Sequence, residues 1–287
     1  MKSSVNRKVY CFGEVLWDLF PSGKVAGGAP FNVAFRLNAQ NIESYLVSAV
    51  GKDDLGKELT HFIQSKHIST QYLVQNDSPT GVVRVEVFKD GEVNYTIEED
   101  VSWDYIKIPN PLKSNDILVY GSLAARSIDS KRMMLELLTT TGIYPVFDVN
   151  LRFPFYDNSL IIELIEFAKL LKVNMEEFSI LVNWHELDSL NFDEQVHILF
   201  QKYSNLELLC ITNGAYGATV FKRSENKIES IFQPGIKIDM VDPVGSGDAF
   251  LATLIGEHLV HGKDLALSLQ HANEVGAYVA TQIGAIQ

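Results

Sequence analysis

Short apolar runs and helically spaced apolar positions take turns along most of the chain. Residues 9–12, 45–50, 117–120, 144–147, 180–182 and 208–211 are compact runs rich in Val, Ile, Leu and aromatic side chains, the composition of strands buried on both faces. Helical segments lie between them. Pro30 opens a helix over residues 31–39 directly after Gly27-Gly28, a position where the N–H that proline lacks has no helical partner anyway. Residues 130–140 stop at Gly142 and residues 249–261 at Gly262, both C-terminal stop signals. Residues 265–281 again carry apolar side chains at helical spacing. The alternation predicts an α/β fold of three layers, with a mostly parallel sheet covered by helices on both faces.

One stretch departs from this rhythm. Residues 82–88 and 92–97 alternate, and Asp90-Gly91 between them is a two-residue hairpin signal. Val93, Tyr95 and Ile97 share one face, while Glu92, Asn94 and Thr96 share the other. A half-polar hairpin does not suit the centre of a parallel sheet. The expectation is one domain over residues 1–287 with a small β lid near residues 80–103, joined by residues 18–28. Such flaps commonly cover a site; a surface hairpin without function is the plainer alternative.

The 287 residues, 46% hydrophobic, suffice for one large core. A net charge of −12 with scattered basic residues argues against a nucleic-acid partner or an anionic membrane surface. A small polyanion stays compatible if backbone N–H groups and a metal ion handle its charge. The first residues run into a strand-like segment without a long apolar stretch, and Cys11 and Cys210 stand alone. Both features fit the cytoplasm.

The chemistry concentrates in Val241-Asp242-Pro243-Val244-Gly245-Ser246-Gly247-Asp248-Ala249-Phe250. Small residues at Gly245, Ser246 and Gly247 allow a tight turn that points N–H groups outward at a helix start, where the dipole favours an anion. A transferring phosphoryl group fits there. Asp248 then lies beside it, placed to hold a hydroxyl in line and take its proton. The helix start is expected to keep this carboxylate ionised. The plain alternative is a glycine turn with Asp as a helix cap. No Gly-x-x-x-x-Gly-Lys-Ser/Thr is present, and Phe250 stands where a dinucleotide fingerprint needs its third glycine. A dehydrogenase is therefore disfavoured. His258 and His261 lack the further ligands of a zinc site.

These residues resemble the ribokinase-like (PfkB) carbohydrate kinases over nearly the whole chain. Residues 241–250 are similar to that family's C-terminal signature, and Gly27-Gly28-Ala29-Pro30-Phe31-Asn32-Val33-Ala34 to its N-terminal one. Gly13-Glu14-Val15-Leu16-Trp17-Asp18 and the Gly-Gly-Ala-Pro-Phe-Asn run look most like the fructokinase branch. The resemblance implies ATP-dependent phosphorylation of a sugar, with fructose leading and ribose, 2-keto-3-deoxygluconate or a nucleoside as alternatives. Asp248 would be the base and residues 245–247 the anion hole.

Asp18, at the end of the first strand pattern, Gly28 and Asn32 would meet sugar hydroxyls. Arg152, in Asp148-Val149-Asn150-Leu151-Arg152, would contact substrate or phosphate, with a salt bridge as the alternative. Asn174 and Glu177 match an Asn-x-x-Glu motif that would support Mg2+ through water. Thr212, Asn213, Gly214 and Gly217 resemble a nucleotide-binding turn, and Asn273 falls where base or ribose contacts are usual. Asp242 is a candidate for a monovalent-cation site holding K+. A homodimer through the lid is expected from its apolar face. A non-catalytic sugar-binding regulator on the same fold is the rival from another class.

Overall fold

The computed structural model describes residues 7–87, 93–225 and 227–286; the expected turn at Asp90-Gly91 lies outside them. In chain order come β1 (Val9–Phe12), β2 (Leu16–Phe20), β3 (Gly23–Gly27), α1 (Ala29–Ala39), β4 (Ser44–Gly51), α2 (Asp54–Ser65), β5 (Leu73–Asn76), β6 (Val82–Val87) and β7 (Val93–Ile97). Then follow β8 (Ile117–Gly121), α3 (Ile128–Leu138), β9 (Tyr144–Asp148), α4 (Asn158–Ile165), β10 (Leu170–Asn174), α5 (Met175–Trp184) and α6 (Phe192–Lys202). The chain finishes with β11 (Leu208–Thr212), β12 (Gly217–Ser224), β13 (Lys227–Pro234), α7 (Ser246–Leu254) and α8 (Leu265–Ala280).

Nine strands form the main sheet in the order β13-β12-β11-β10-β9-β8-β1-β4-β5. All its pairings are parallel except those of β12 and β13 at one end. Successive side chains point to opposite faces, so each strand feeds two cores. Phe12, Tyr120 and Phe147 pack with Met134, Leu164, Leu181 and Leu199 from the helices α3 to α6. Cys11, Val119 and Val146 pack with Phe31, Leu59, Leu251 and Leu269 from α1, α2, α7 and α8. This is the three-layer arrangement that the alternating pattern predicts.

Two local expectations fail for physical reasons. Residues 180–182 are not a strand but lie within α5, where Phe178, Leu181 and Val182 are buried at helical spacing. The sheet takes β10 instead, whose apolar run is interrupted by Lys172. Asp18 is not at the end of the first strand either; it sits in the middle of β2.

That strand belongs to a second sheet, ordered β3-β2-β6-β7. Leu16, Val83 and Val85 pack together on one face with Phe20 and Ile97, and alternation along β2 puts Asp18 on the same face. The sheet is held at its stems. Asp53 accepts bonds from the amide and hydroxyl of Thr80, at 2.8 and 2.6 Å, just before β6. After β7, the buried Arg126 guanidinium donates to both oxygens of Asp104 at 2.9 Å and to the Glu98 carbonyl at 2.6 Å. Among the described residues no helix is long and apolar enough to cross a membrane.

Candidate active site

The start of α7 carries no side-chain cap. Gly245 takes φ 78°, and a Cβ there would lie 2.4 Å from the Ala285 Cβ, so both conformation and space demand glycine. Ser246 is already engaged: its amide donates to the Pro243 carbonyl at 3.2 Å and its hydroxyl to the same oxygen at 2.7 Å. Of residues 245–247, expected to form an anion hole, Ser246 thus has its amide turned onto the loop itself. The amides without an acceptor among the described residues are those of Gly245, Gly247 and Asp248.

Asp248 meets α1 across the cleft. Its Oδ2 accepts a bond from Asn32 Nδ2 at 2.7 Å, while Asn32 Oδ1 is buried without a partner among the described residues. Asn32 is fixed by the tight entry to α1, where its amide donates to the Gly28 carbonyl at 2.9 Å. Gly28 has φ 117°, and a Cβ there would come within 2.4 Å of the Glu14 carbonyl oxygen. Asp18, reaching in from the smaller sheet, has no side-chain hydrogen bond among the described residues. Lone pairs on Asp248, Asn32 and Asp18 thus await donors, a demand that a polyhydroxylated ligand meets.

The electrostatics depart from the simple helix-start argument. Burial, and secondarily the Asp148 charge, push the Asp248 carboxyl up to about 6, although Asn32, Lys172 and Arg152 oppose the rise. Burial outweighs the dipole here. Burial likewise lifts Asp18 to about 6 against the Arg152 charge. It lifts Glu14 to about 7, against bonds from its own amide and that of Ala29. Arg152 makes no ion pair among the described residues; its one hydrogen bond goes to the Leu151 carbonyl at 3.2 Å. The salt-bridge alternative is not what the structure shows. Its charge acts on Glu14, Asp18 and Asp248 together.

Asn174 and Glu177 do come together, as a reciprocal cap on α5. Asn174 Oδ1 accepts from the Glu177 amide at 2.8 Å, and Glu177 Oε2 from the Asn174 amide at 2.9 Å. Glu177 Oε1 also accepts from the Leu151 amide at 2.9 Å. Burial raises this carboxyl above its usual range, and the Lys172 charge pulls it back. Each oxygen keeps a lone pair for a metal-bound water, so the pair fits an outer-shell role.

At the far end of the sheet, Thr212 closes β11 and Asn213 is exposed ahead of Gly214 at φ 48°. Nothing lies near the Gly214 Cβ position, which leaves room for a ligand. Gly217 differs: its φ of 106° and a Cβ that would strike the Gln233 carbonyl at 2.0 Å both demand glycine beside β13. Asn273 spends its amide on the Pro234 carbonyl at 2.7 Å. Asp242 accepts from the amides of Val244 and Gly284, both at 3.0 Å, and so ties the loop before α7 to the C-terminal segment. Among the described residues, no three His, Cys, Asp or Glu side chains are grouped to hold a metal.

The sequence profile of the pfkB family carbohydrate kinases matches residues 7–287. The chain belongs to that family. Among pfkB relatives, probable fructokinase-7 of Arabidopsis thaliana is 25% identical, over 97% of this chain and 88% of the plant protein. Fructokinase-2 of Zea mays is 26% identical, over 98% and 90%. A fructokinase from Vibrio cholerae, solved with fructose, ADP and potassium ion, shares the fold with a TM-score of 0.84, at 22% identity over 100% of this chain and 96% of that one. An aminoimidazole riboside kinase from Salmonella enterica gives 0.80, at 24% identity over 98% and 96%.

Two residues near this pfkB site carry no role in the motif reading. Glu14 is buried and accepts from the Ala29 amide at 3.0 Å, steadying the entry to α1. Lys172 is buried and donates to both Asp148 oxygens, at 2.8 and 3.0 Å. A lysine inside the apolar run Leu170–Asn174 is the signal that could have flagged it.

Proposed function

We propose that this chain transfers the γ-phosphoryl group of ATP to a sugar hydroxyl, with fructose to fructose 6-phosphate as the leading reaction. The observation that carries this is the meeting of Asp248 and Asn32 beside free amides, at 2.7 Å. The fructokinase names of the plant relatives favour fructose.

In this reading Asp248 orients the acceptor hydroxyl and takes its proton as the new bond forms. The amides of Gly245, Gly247 and Asp248 receive the charge of the migrating group. Asp18 and Asn32 accept from other hydroxyls, and Gly28 lets backbone approach the sugar. Arg152, unpaired and close to the carboxylates, swings onto the phosphorylated product. Thr212, Asn213 and Gly214 line the nucleotide turn, whereas Gly217 and Asn273 shape it from behind. Mg2+ would be held by the nucleotide phosphates and by waters bonded to Glu177 and Asn174, and it would offset phosphate charge. Asp242, which ties Val244 and Gly284 together, would serve a K+ site by positioning backbone carbonyls and through the lone pair left on each oxygen.

The smaller sheet acts as a lid that brings Asp18 onto the sugar and keeps out water, which would otherwise accept the phosphoryl group. Its Asp18-bearing face leaves Val25 43% and Tyr95 56% exposed, a surface suited to a homodimer through the lids. A monomer by light scattering at micromolar concentration would remove that part. We place the enzyme in the cytoplasm, without nucleic-acid or membrane partners.

A coupled ADP-release assay across fructose, ribose, 2-keto-3-deoxygluconate and nucleosides tests the reading. Fructose should give the highest kcat/KM. A nucleoside preference would transfer the assignment to the chemistry of the riboside kinase neighbour. Binding without any turnover would leave a regulator.

A further inference from the structure

Resting on the proposed reaction, we infer that Lys172 is a positioning residue whose ammonium, buried behind Gly247, supplies the fixed positive charge that lets the start of α7 accept a phosphoryl group. The placement is specific. A Cβ on Gly247 would sit 3.5 Å from Lys172 Nζ and 4.0 Å from its Cε. The ammonium is thus directly behind a residue whose own amide is free. Lys172 and Asp148 are 7% and 5% exposed, so their charges are little screened.

The surroundings show why a cation is needed. Asp148 faces Lys172 from β9, Glu177 from α5 and Asp248 from α7. Three carboxylates around one ammonium form a site that would otherwise repel the anion it must receive. Buried ion pairs seldom stabilise a fold better than apolar side chains of the same volume. The Lys172–Asp148 pair therefore calls for a functional account beyond packing. Asp148 holds the ammonium in place through two hydrogen bonds, and the remaining field points towards Gly247.

The competing explanation is that Lys172 only neutralises Asp148. Lys172→Met, Lys172→Arg and the double variant Asp148→Asn/Lys172→Met separate the two. Sugar kinetics, ADP binding by calorimetry and thermal melting are measured on each. Removing Lys172 alone should lower kcat about a hundredfold, with the sugar KM and the ADP Kd within threefold of the parent. Lys172→Arg should keep kcat within tenfold. The double variant, freed of the lone buried carboxylate, should melt like the parent yet stay as slow as Lys172→Met. Recovery of kcat in the double variant would overturn the inference, as would a Lys172→Arg variant as slow as Lys172→Met. If the Met variants do not fold, Lys172→Arg is compared with the parent: kcat within tenfold supports the inference, and a loss of about a hundredfold with an unchanged melt and ADP Kd overturns it. A parent protein inactive on every sugar would instead sink the proposed function itself.

Discussion

Two helices, α5 and α7, start near the same Lys172, and their first turns are built in opposite ways. The α5 start is closed. Asn174 and Glu177 satisfy each other's amides, and Glu177 also takes the Leu151 amide. The α7 start is open. Gly245 offers no capping side chain, and the amides of Gly247 and Asp248 have no acceptor among the described residues. A glycine at the N-cap forgoes about a few tenths of a kcal/mol relative to a capping side chain. That deficit makes sense where a ligand supplies the missing acceptor. Carboxylates at two helix starts therefore do different work: Glu177 completes a cap, and Asp248 faces the cleft.

The largest effect should come from removing the free carboxylate. Asp248→Asn is expected to cut kcat about a thousandfold while leaving ADP affinity unchanged by calorimetry; turnover near the parent value would erase the distinction between the two helix starts. Next in size is Gly245→Ala. A Cβ forced into φ 78° against Ala285 should destabilise the fold by about 2 kcal/mol in urea unfolding and lower kcat at least tenfold. Asn174→Ala, at the closed start, should cost about 1 kcal/mol of stability and raise the Mg2+ concentration needed for half-maximal rate, with kcat at saturating Mg2+ changed less than fivefold.

The smallest effects concern pH. With Asp248 near 6, kcat/KM should decline about tenfold per pH unit below that value. A carboxyl whose folded pKa is raised favours the folded state most at pH below its unfolded pKa of about 4. This contribution is lost as pH rises through 6. Asp248→Asn should accordingly gain stability over the parent at pH 8, and gain less at pH 4.

The layered fold was legible because strands buried on both faces and helices with glycine stops leave distinct patterns. The chain also showed Asp248, Asn32 and the Asn174–Glu177 pair through their motifs. Failures came where tertiary contacts override local pattern. β10 was hidden because its lysine looks polar until Asp148 is placed beside it. Residues 180–182 read as a strand because a short apolar run does not reveal its period. The raised carboxyl of Asp248 depends on burial against α1 and on the Asp148 charge from β9, which no local sequence window contains. Gly217 and Asn273 matched a binding motif, and what no local window showed is that both also contact β13.

The central claim is that the open start of α7 holds the migrating group while Asp248 steers the alcohol. A crystal structure with ADP, Mg2+, fructose and aluminium fluoride tests it most directly. The fluoride should sit on the amides of Gly247 and Asp248, with one sugar hydroxyl within about 3 Å of an Asp248 oxygen. Fluoride bound elsewhere, or a sugar whose hydroxyls all avoid Asp248, would contradict it.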